Sequence, residues 1–277
     1  MAKFTKSLFL AASALGLASL FAGSAQAGSI TGATPGSSDY KLYCADATNT
    51  YDCTGSDSDA DSVLAGDATS PGGNVELRAA SDTTFGPAVT LAGTLNGEAI
   101  TFSSLTKSDW DVFGKKWLTQ LMLKYTTISS ITETNNSYYA LLTDANKARF
   151  SDPNISYVNQ DDATGEVSIG LAGHFNAASL LPSTFSMFLR NEYKGVNAKP
   201  IQISEIVKYT YDGVTDYLWS FEATNSGLVE AGDEFSHSGN YEVAFQGKVP
   251  PTESVPEPAS ILGLMAVGSL IASRKRK

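Results

Sequence analysis

Cysteine and histidine are scarce in this sequence, since each occurs only twice in 277 residues. The two histidines, His174 and His237, lie far from both cysteines, so the four residues do not show the spacing of a metal site. The sequence also lacks a Gly-x-Ser-x-Gly nucleophile elbow and a glycine-rich phosphate-binding motif. No common catalytic motif therefore points to an activity.

Basic residues are few as well. Nineteen Lys and Arg face 29 Asp and Glu, which gives a formal net charge of −10. An acidic protein is not attracted electrostatically to nucleic acid or to an anionic lipid surface, so we expect no nucleic-acid partner. With 42% hydrophobic and 17% charged residues, the chain has the composition of a globular protein.

The first 27 residues have the three parts of a secretory signal peptide. Lys3 and Lys6 precede an apolar run from Leu8 to Ala22, and Ala25-Gln26-Ala27 then offers the small residues that signal peptidase accepts. We expect the mature protein to begin near Gly28, outside the inner membrane of a bacterium.

Export changes what is expected of the cysteines. In an oxidising compartment Cys44 and Cys53 are expected to form a disulfide. Because the loop between them is short, its expected contribution to stability is about 2–3 kcal/mol.

An acidic segment follows the second cysteine. Asp57, Asp59 and Asp61 have the alternating spacing that opens a calcium-binding loop. The match then fails, because Ser62 replaces the required glycine and Ala68 the bidentate glutamate. A solvated acidic loop and a weak calcium site both remain open, and no other cofactor is expected.

The rest of the chain is dominated by strand patterns. In residues 90–103, Asn96-Gly97 favours a two-residue turn that pairs Leu91 with Phe102 and Gly93 with Ile100 on a buried face. The sequence predicts a mainly β, α+β fold: an antiparallel, jelly-roll-like β-sandwich with two inserted amphipathic helices. We expect a polar segment with the disulfide loop at residues 28–73, a β-rich domain at 74–249 and a linker at 250–254.

Two segments show helical spacing. The first has a candidate capping box at Ser108 and Asp111, followed by a stripe of large apolar residues. That stripe consists of Trp110, Phe113, Trp117, Leu121 and Tyr125. The second helix is predicted to begin near Ser137 and to end before Asp152-Pro153. It would turn Tyr138, Leu141, Leu142 and Ala145 inward.

Residues 207–221 form a second predicted hairpin, with two possible registers. A three-residue loop at Tyr211-Asp212-Gly213 would pair Val207 with Tyr217 and Lys208 with Asp216. We predict this register because it gathers the aromatic residues on one face. On that face Tyr217 and Trp219 are candidate ligand-binding residues, since their rings could stack on sugars; the alternative is that they fill the core.

The C-terminal residues 255–277 combine three features. Pro256, Glu257 and Pro258 come first, an apolar run from Ala259 to Ser273 follows, and four basic residues end the segment. These basic residues, Arg274, Lys275, Arg276 and Lys277, would act as a membrane stop. As a helix the run would be about 22 Å long, which is short of a bilayer core of roughly 30 Å. We therefore expect transient insertion into the inner membrane.

This arrangement resembles the PEP-CTERM sorting domain, with Gly263 and Gly268 in the apolar segment. The resemblance implies recognition by an exosortase and delivery to the surface or matrix of bacteria that make exopolysaccharide. Residues 149–175 and 238–245 resemble segments shared by a subfamily of such proteins whose activity is unassigned.

Two classes of function remain open on the sequence. The first is a non-enzymatic surface or matrix protein, adhesive or glycan-binding, with exopolysaccharide as a possible partner. The second is a secreted hydrolase of matrix polysaccharide, which would need a carboxylate pair or a histidine beside an acid. Sequence alone names no catalytic residue for the second class.

Overall fold

A computed structural model describes residues 28–78, 83–128, 130–135, 137–181, 200–233 and 235–251. The predicted signal peptide and the C-terminal motif, including Pro256–Pro258 and Arg274–Lys277, lie outside these ranges. The fold is mainly β, with 37% strand and 17% helix, and its strands form two sheets.

The larger sheet, sheet A, has nine strands. Eight lie in the order β12 (Thr224–Asn225), β14 (Gly239–Gln246), β9 (Glu166–Gly173), β8 (Asn154–Gln160), β5 (Gly73–Leu77), β3 (Tyr40–Ala45), β4 (Asn49–Asp52) and β13 (Val229–Glu230). The ninth, β1 (Gly28–Ser29), also pairs with β8. Sheet B has the order β11 (Val214–Leu218), β10 (Val207–Tyr211), β7 (Glu98–Ser103), β6 (Thr90–Leu95) and β2 (Thr31–Pro35). The paired strands are antiparallel except β13 and β4.

The two sheets enclose the main hydrophobic core, as the prediction of a β-sandwich requires. Sheet A supplies Leu42, Val75, Leu77, Ile155, Val158, Val167, Ile169, Leu171, Tyr241 and Val243, and sheet B supplies Leu91, Leu95, Ile100, Phe102, Val207, Tyr209 and Tyr211. Because side chains alternate along a strand, the intervening residues of β3, β5 and β8 point to the other face of sheet A. Tyr43, Glu76 and Asn154 are among them.

The N-terminal segment takes part in both sheets. β3 pairs with β5, β1 with β8, and β2 with β6. Cys44 in β3 forms the predicted disulfide with Cys53, just after β4, with the two Cα atoms 5.8 Å apart. The disulfide thus joins neighbouring strands of sheet A.

The first hairpin confirms the predicted register. Leu91 lies opposite Phe102 and Gly93 opposite Ile100. Asn96 and Gly97 have φ angles of 50° and 84°, the left-handed values that a two-residue turn of this kind needs.

The second hairpin contradicts the predicted register. Lys208 pairs with Tyr217 and Tyr209 with Asp216, around a two-residue loop whose Asp212 and Gly213 have φ angles of 50° and 75°. The face that carries Lys208 and Tyr217 is covered by a helix, which places a partner for the lysine there. A face that mixes a lysine with aromatic residues is therefore compatible with this register.

That helix is the first predicted one, α2 (Trp110–Tyr125), which comes after a short α1 (Ala60–Leu64). Its predicted stripe is buried and forms a second core together with Phe150, Ile203 and Ile206. The predicted capping box is wrong: the N-cap residue is Asp109, and its side chain makes no capping bond. The Asp109 carboxylate is instead bonded to Lys208 and Tyr217 of sheet B.

The second predicted helix is broken in two. A 3₁₀ helix spans Ser137–Leu141 and α3 spans Asp144–Ala148. Thr143 separates them because it caps α3, with its hydroxyl accepting a bond from the Asn146 backbone N–H at 3.3 Å. Leu142 is buried as predicted, but Leu141 and Ala145 are exposed.

Candidate functional site

Two of the three aspartates of the candidate calcium loop, Asp59 and Asp61, have separate contacts. Asp59 caps α1 by accepting from Ser62 N at 2.8 Å, and Asp61 accepts from Gly32 N and Ala33 N at 2.9 and 2.6 Å. Across the described residues, no group of three or more His, Cys, Asp or Glu side chains could hold a metal ion. Asp59 and Asp61 thus serve backbone groups in the structure.

The candidate aromatic residues lie where sheet B meets α2. Tyr217 and Trp219 are both half-buried, with ring centroids 4.7 and 5.4 Å from that of Phe113. The Lys116 ammonium lies over the Trp219 ring, 5.6 Å from its centroid. Neighbouring side chains therefore occupy much of the ring surface that could stack on a sugar.

A polar cavity of about 150 Å³ lies against the outer face of sheet A. Strands β3, β5, β8 and β13 contribute to it, as do the segments that follow β9 and precede β10. Its lining, called the polar cavity below, consists of Tyr43, Glu76, Arg149, Asp152, Asn154, His174, Leu180, Glu205, Glu230, Ser236 and His237. The cavity therefore brings together both histidines and four acidic residues.

Two of these carboxyl groups have raised pKa values. Burial, followed by the charge of Asp152, raises the pKa of Glu205 well above its usual value. Glu205 accepts hydrogen bonds from the backbone N–H and the side-chain amide of Asn154 at 2.9 and 3.1 Å. Burial also raises the pKa of Glu76, to about 7, although the positive charge of Lys41 opposes the shift. The fold therefore favours the neutral acid of Glu205, and Glu76 titrates near neutral pH.

Tyr43 links two acidic residues of the cavity. Burial raises its pKa, and the charges of Glu76 and Glu230 and hydrogen bonding to both add to the shift. Lys41 donates to the Tyr43 hydroxyl at 3.3 Å. Since a phenol carries a single proton, it cannot donate to both carboxylates at once. One of the two carboxyl groups is best accommodated when it carries a proton, in keeping with the raised pKa of Glu76.

Burial shifts both histidines of the cavity toward the uncharged imidazole. Burial lowers the pKa of His237 to about 4, and its Nδ1 lies 2.7 Å from the Thr50 hydroxyl. Burial also lowers the pKa of His174. Its Nε2 lies 3.3 Å from Ser236 Oγ, whose own proton is donated to Asp233 at 2.8 Å.

This arrangement determines the proton position on His174. Because Ser236 donates to Asp233, its oxygen accepts from His174, so Nε2 carries the proton. Nδ1 is then an acceptor, and it is buried without a hydrogen-bond partner in the described part of the chain. Asn154 Oδ1 is a second buried acceptor in the same condition. Both atoms are shielded from solvent in the structure, although their residues line the cavity.

Sequence reasoning identified the two histidines but missed the acidic residues of the cavity. They lie far apart in the chain, at Glu76, Asp152, Glu205 and Glu230. A signal was present in β5 and β8, where Glu76 and Asn154 alternate with buried aliphatic residues. Polar residues in such a pattern on a central strand indicate a second face that is polar rather than apolar.

Comparisons identify the chain through its C-terminal segment. The family model of the PEP-CTERM protein-sorting motif matches residues 254–277. Comparison with curated proteins and with solved structures gives no significant match. No helix within the described ranges is long and apolar enough to cross a membrane. The chain is a PEP-CTERM sorting domain-containing protein, exported toward the cell surface and targeted to an exosortase.

Proposed function

We propose that the exported body is a non-enzymatic glycan-binding protein of the cell surface or extracellular matrix, and that the polar cavity is its ligand site. The observation that carries this proposal is the polar lining of the cavity, where hydroxyl, amide, imidazole and carboxyl groups from several segments come together, those of Asn154 and His174 among them. The hydroxyl groups of a sugar both donate and accept hydrogen bonds, so they can pair with such a lining.

The chemistry of the lining favours a neutral sugar. Apart from Leu180 the lining side chains are polar or ionisable, so an apolar ligand would leave their hydrogen bonds unmade. Four acidic residues face one arginine and two neutral histidines, and this balance disfavours an anionic polymer. At about 150 Å³ the cavity holds roughly five water molecules, so a single sugar unit suits its size.

The aromatic residues Tyr217 and Trp219, which the sequence suggests as sugar-stacking residues, are not part of the proposed site. Their rings pack against Phe113, so they support the proposal less than the cavity does. Trp219, which directly follows β11, provides a control because it lies outside the cavity lining.

Calorimetric titration with neutral oligosaccharides from the host's exopolysaccharide tests the proposal. We expect the wild type to bind and His174→Ala to bind about tenfold more weakly, because one hydrogen-bonding side chain of the lining is lost. Trp219→Ala should bind as the wild type does. Absence of binding by the wild type, or a loss confined to Trp219→Ala, would contradict the cavity as the site.

A second candidate function is hydrolysis of matrix polysaccharide. The observation that favours it is Glu76, a carboxyl group with a pKa of about 7 that shares Tyr43 with Glu230. Glu76 would protonate the glycosidic oxygen, and Glu230 would act as the second carboxylate. New reducing ends measured with the wild type, and their loss in Glu76→Gln with binding retained, would favour this function over simple binding.

A further inference from the structure

The N-terminal strand and the last contacts within the described part of the chain lie at one end of the sandwich. Gly28 pairs with Gln160, the last residue of β8. The Gln160 side chain donates to the carbonyl oxygen of Lys248 at 2.6 Å. One residue therefore contacts both the start of β1 and the segment that leads to the sorting motif.

Lys248 is held at this end by sheet B as well. Its backbone N–H donates to the Tyr211 hydroxyl at 3.2 Å, and its ammonium lies 2.9 Å from Asp212 and 3.2 Å from Glu98. Asp212 lies in the turn of the second hairpin, and Glu98 directly follows the turn of the first. The chain is thus fixed to both sheets up to Lys248, at what we call the tail end.

The polar cavity lies toward the opposite end. Asn154, in its lining, is the first residue of β8, whereas Gln160 is the last. Asn154 and Gln160 are six residues apart in this strand, which corresponds to about 20 Å. His174 follows the last residue of β9, whose first residue pairs with Gln246 near the tail end.

We infer that the protein is displayed with its tail end toward the surface to which it is sorted and with the polar cavity facing outward. Pro251 and Pro256 are five residues apart, a reach of at most about 18 Å when fully extended. While the chain is held at the surface through its sorting motif, a link of this length keeps the tail end near that surface. The importance of this orientation for ligand access rests on the proposed function, but the orientation itself does not.

Labelling of single cysteines on intact cells tests the orientation. Ala163→Cys places a thiol in the exposed turn at the tail end, and Ser179→Cys places one at an exposed position beside the cavity residue Leu180. Both are labelled with a maleimide that carries a large polyethylene glycol chain. The same variants, extracted from the host and purified, give the intrinsic rate of each thiol.

For each sample we divide the labelling rate of the Ser179→Cys thiol by that of the Ala163→Cys thiol. We expect this ratio to be several-fold higher on cells than in the purified protein. An equal ratio in the two samples, or a lower one on cells, would overturn the inference. An epitope tag placed directly before Gly28 gives an independent measure that adds no thiol. Antibody should reach it less readily on cells than after extraction, and equal access would again contradict the orientation. Neither readout depends on glycan binding, so failure here is distinct from failure of the proposed function.

Discussion

Two ionisable residues of the polar cavity are buried with opposite consequences for stability. The pKa of Glu76 is raised to about 7, so the folded state favours its neutral acid. The pKa of His237 is lowered to about 4, so the folded state favours neutral imidazole. Both residues therefore resist charging, but they do so over different pH intervals.

The first prediction concerns Glu76→Gln. Its raised pKa contributes stability below pH 4.5, and this contribution is lost as the pH rises through 7. The glutamine variant lacks that loss, so its free energy of unfolding relative to the wild type should increase by about 3 kcal/mol between pH 4 and 8. Urea unfolding across this range measures the difference.

His237→Asn provides the control of opposite sign. The lowered pKa of His237 contributes stability above pH 6.5, which is lost as the pH falls toward 4. The free energy of unfolding of the asparagine variant, relative to that of the wild type, should therefore increase as the pH falls. A Glu76→Gln curve parallel to that of the wild type would show that the carboxyl group is ionised normally in the folded protein.

At the scale of elements, Asp109 connects α2 to sheet B. It accepts from the Lys208 ammonium at 2.8 Å, from the Tyr217 hydroxyl at 2.7 Å and from Thr106 through both its backbone N–H and its hydroxyl. Burial alone would raise its pKa, but these bonds outweigh burial and lower the pKa to about 2. The helix is thus joined to the hairpin by an ionised carboxylate.

The second prediction concerns Asp109→Asn. Loss of the negative charge leaves the half-buried Lys208 without its ionic partner, and we expect a destabilisation of about 2 kcal/mol at neutral pH. Because the pKa of Asp109 is lowered, the difference from the wild type should shrink as the pH falls through 2–4.

Asp144→Asn is the matched control for this variant. Asp144 pairs with Lys107, but both side chains are more than half exposed. Exposed pairs of this kind add little to stability, so no measurable change in the urea midpoint is expected. Equal effects of the two substitutions would refute the structural role given to Asp109.

The same contact shows why one hairpin could be predicted and the other could not. The Asn96-Gly97 hairpin follows from local turn chemistry and from alternation within 14 residues. In the Asp212-Gly213 hairpin, Lys208 appeared misplaced on an aromatic face. Its partner Asp109 lies 99 residues away, and no local pattern reveals that contact.

For the whole molecule, the sequence predicts the sandwich and the sorting signal but not the cavity. Each strand of the sandwich can be predicted from the alternation of apolar and polar residues within it. The sorting signal is likewise one continuous segment of the chain. The cavity instead depends on strand order: β5 lies between β3 and β8, which brings Glu76 beside Tyr43 and Asn154. Sequence separation hides this grouping.

The third prediction concerns processing of the tail. In the native host the wild type should lose the segment that includes Arg274–Lys277, because the PEP-CTERM motif targets the chain to an exosortase. A variant with Pro256, Glu257 and Pro258 changed to alanine should keep it. Intact-mass spectrometry separates the two forms, and a wild-type mass that still includes the four basic residues would contradict the prediction.

The position of β14 has a consequence for the timing of folding. This strand pairs along its whole length with β9 and also holds β12, yet it ends shortly before the sorting segment. A chain that crosses the membrane from its N-terminus delivers β14 after every other strand. Sheet A can be completed only when almost the entire body has emerged, so final folding and arrival of the sorting signal at the membrane occur close together in time.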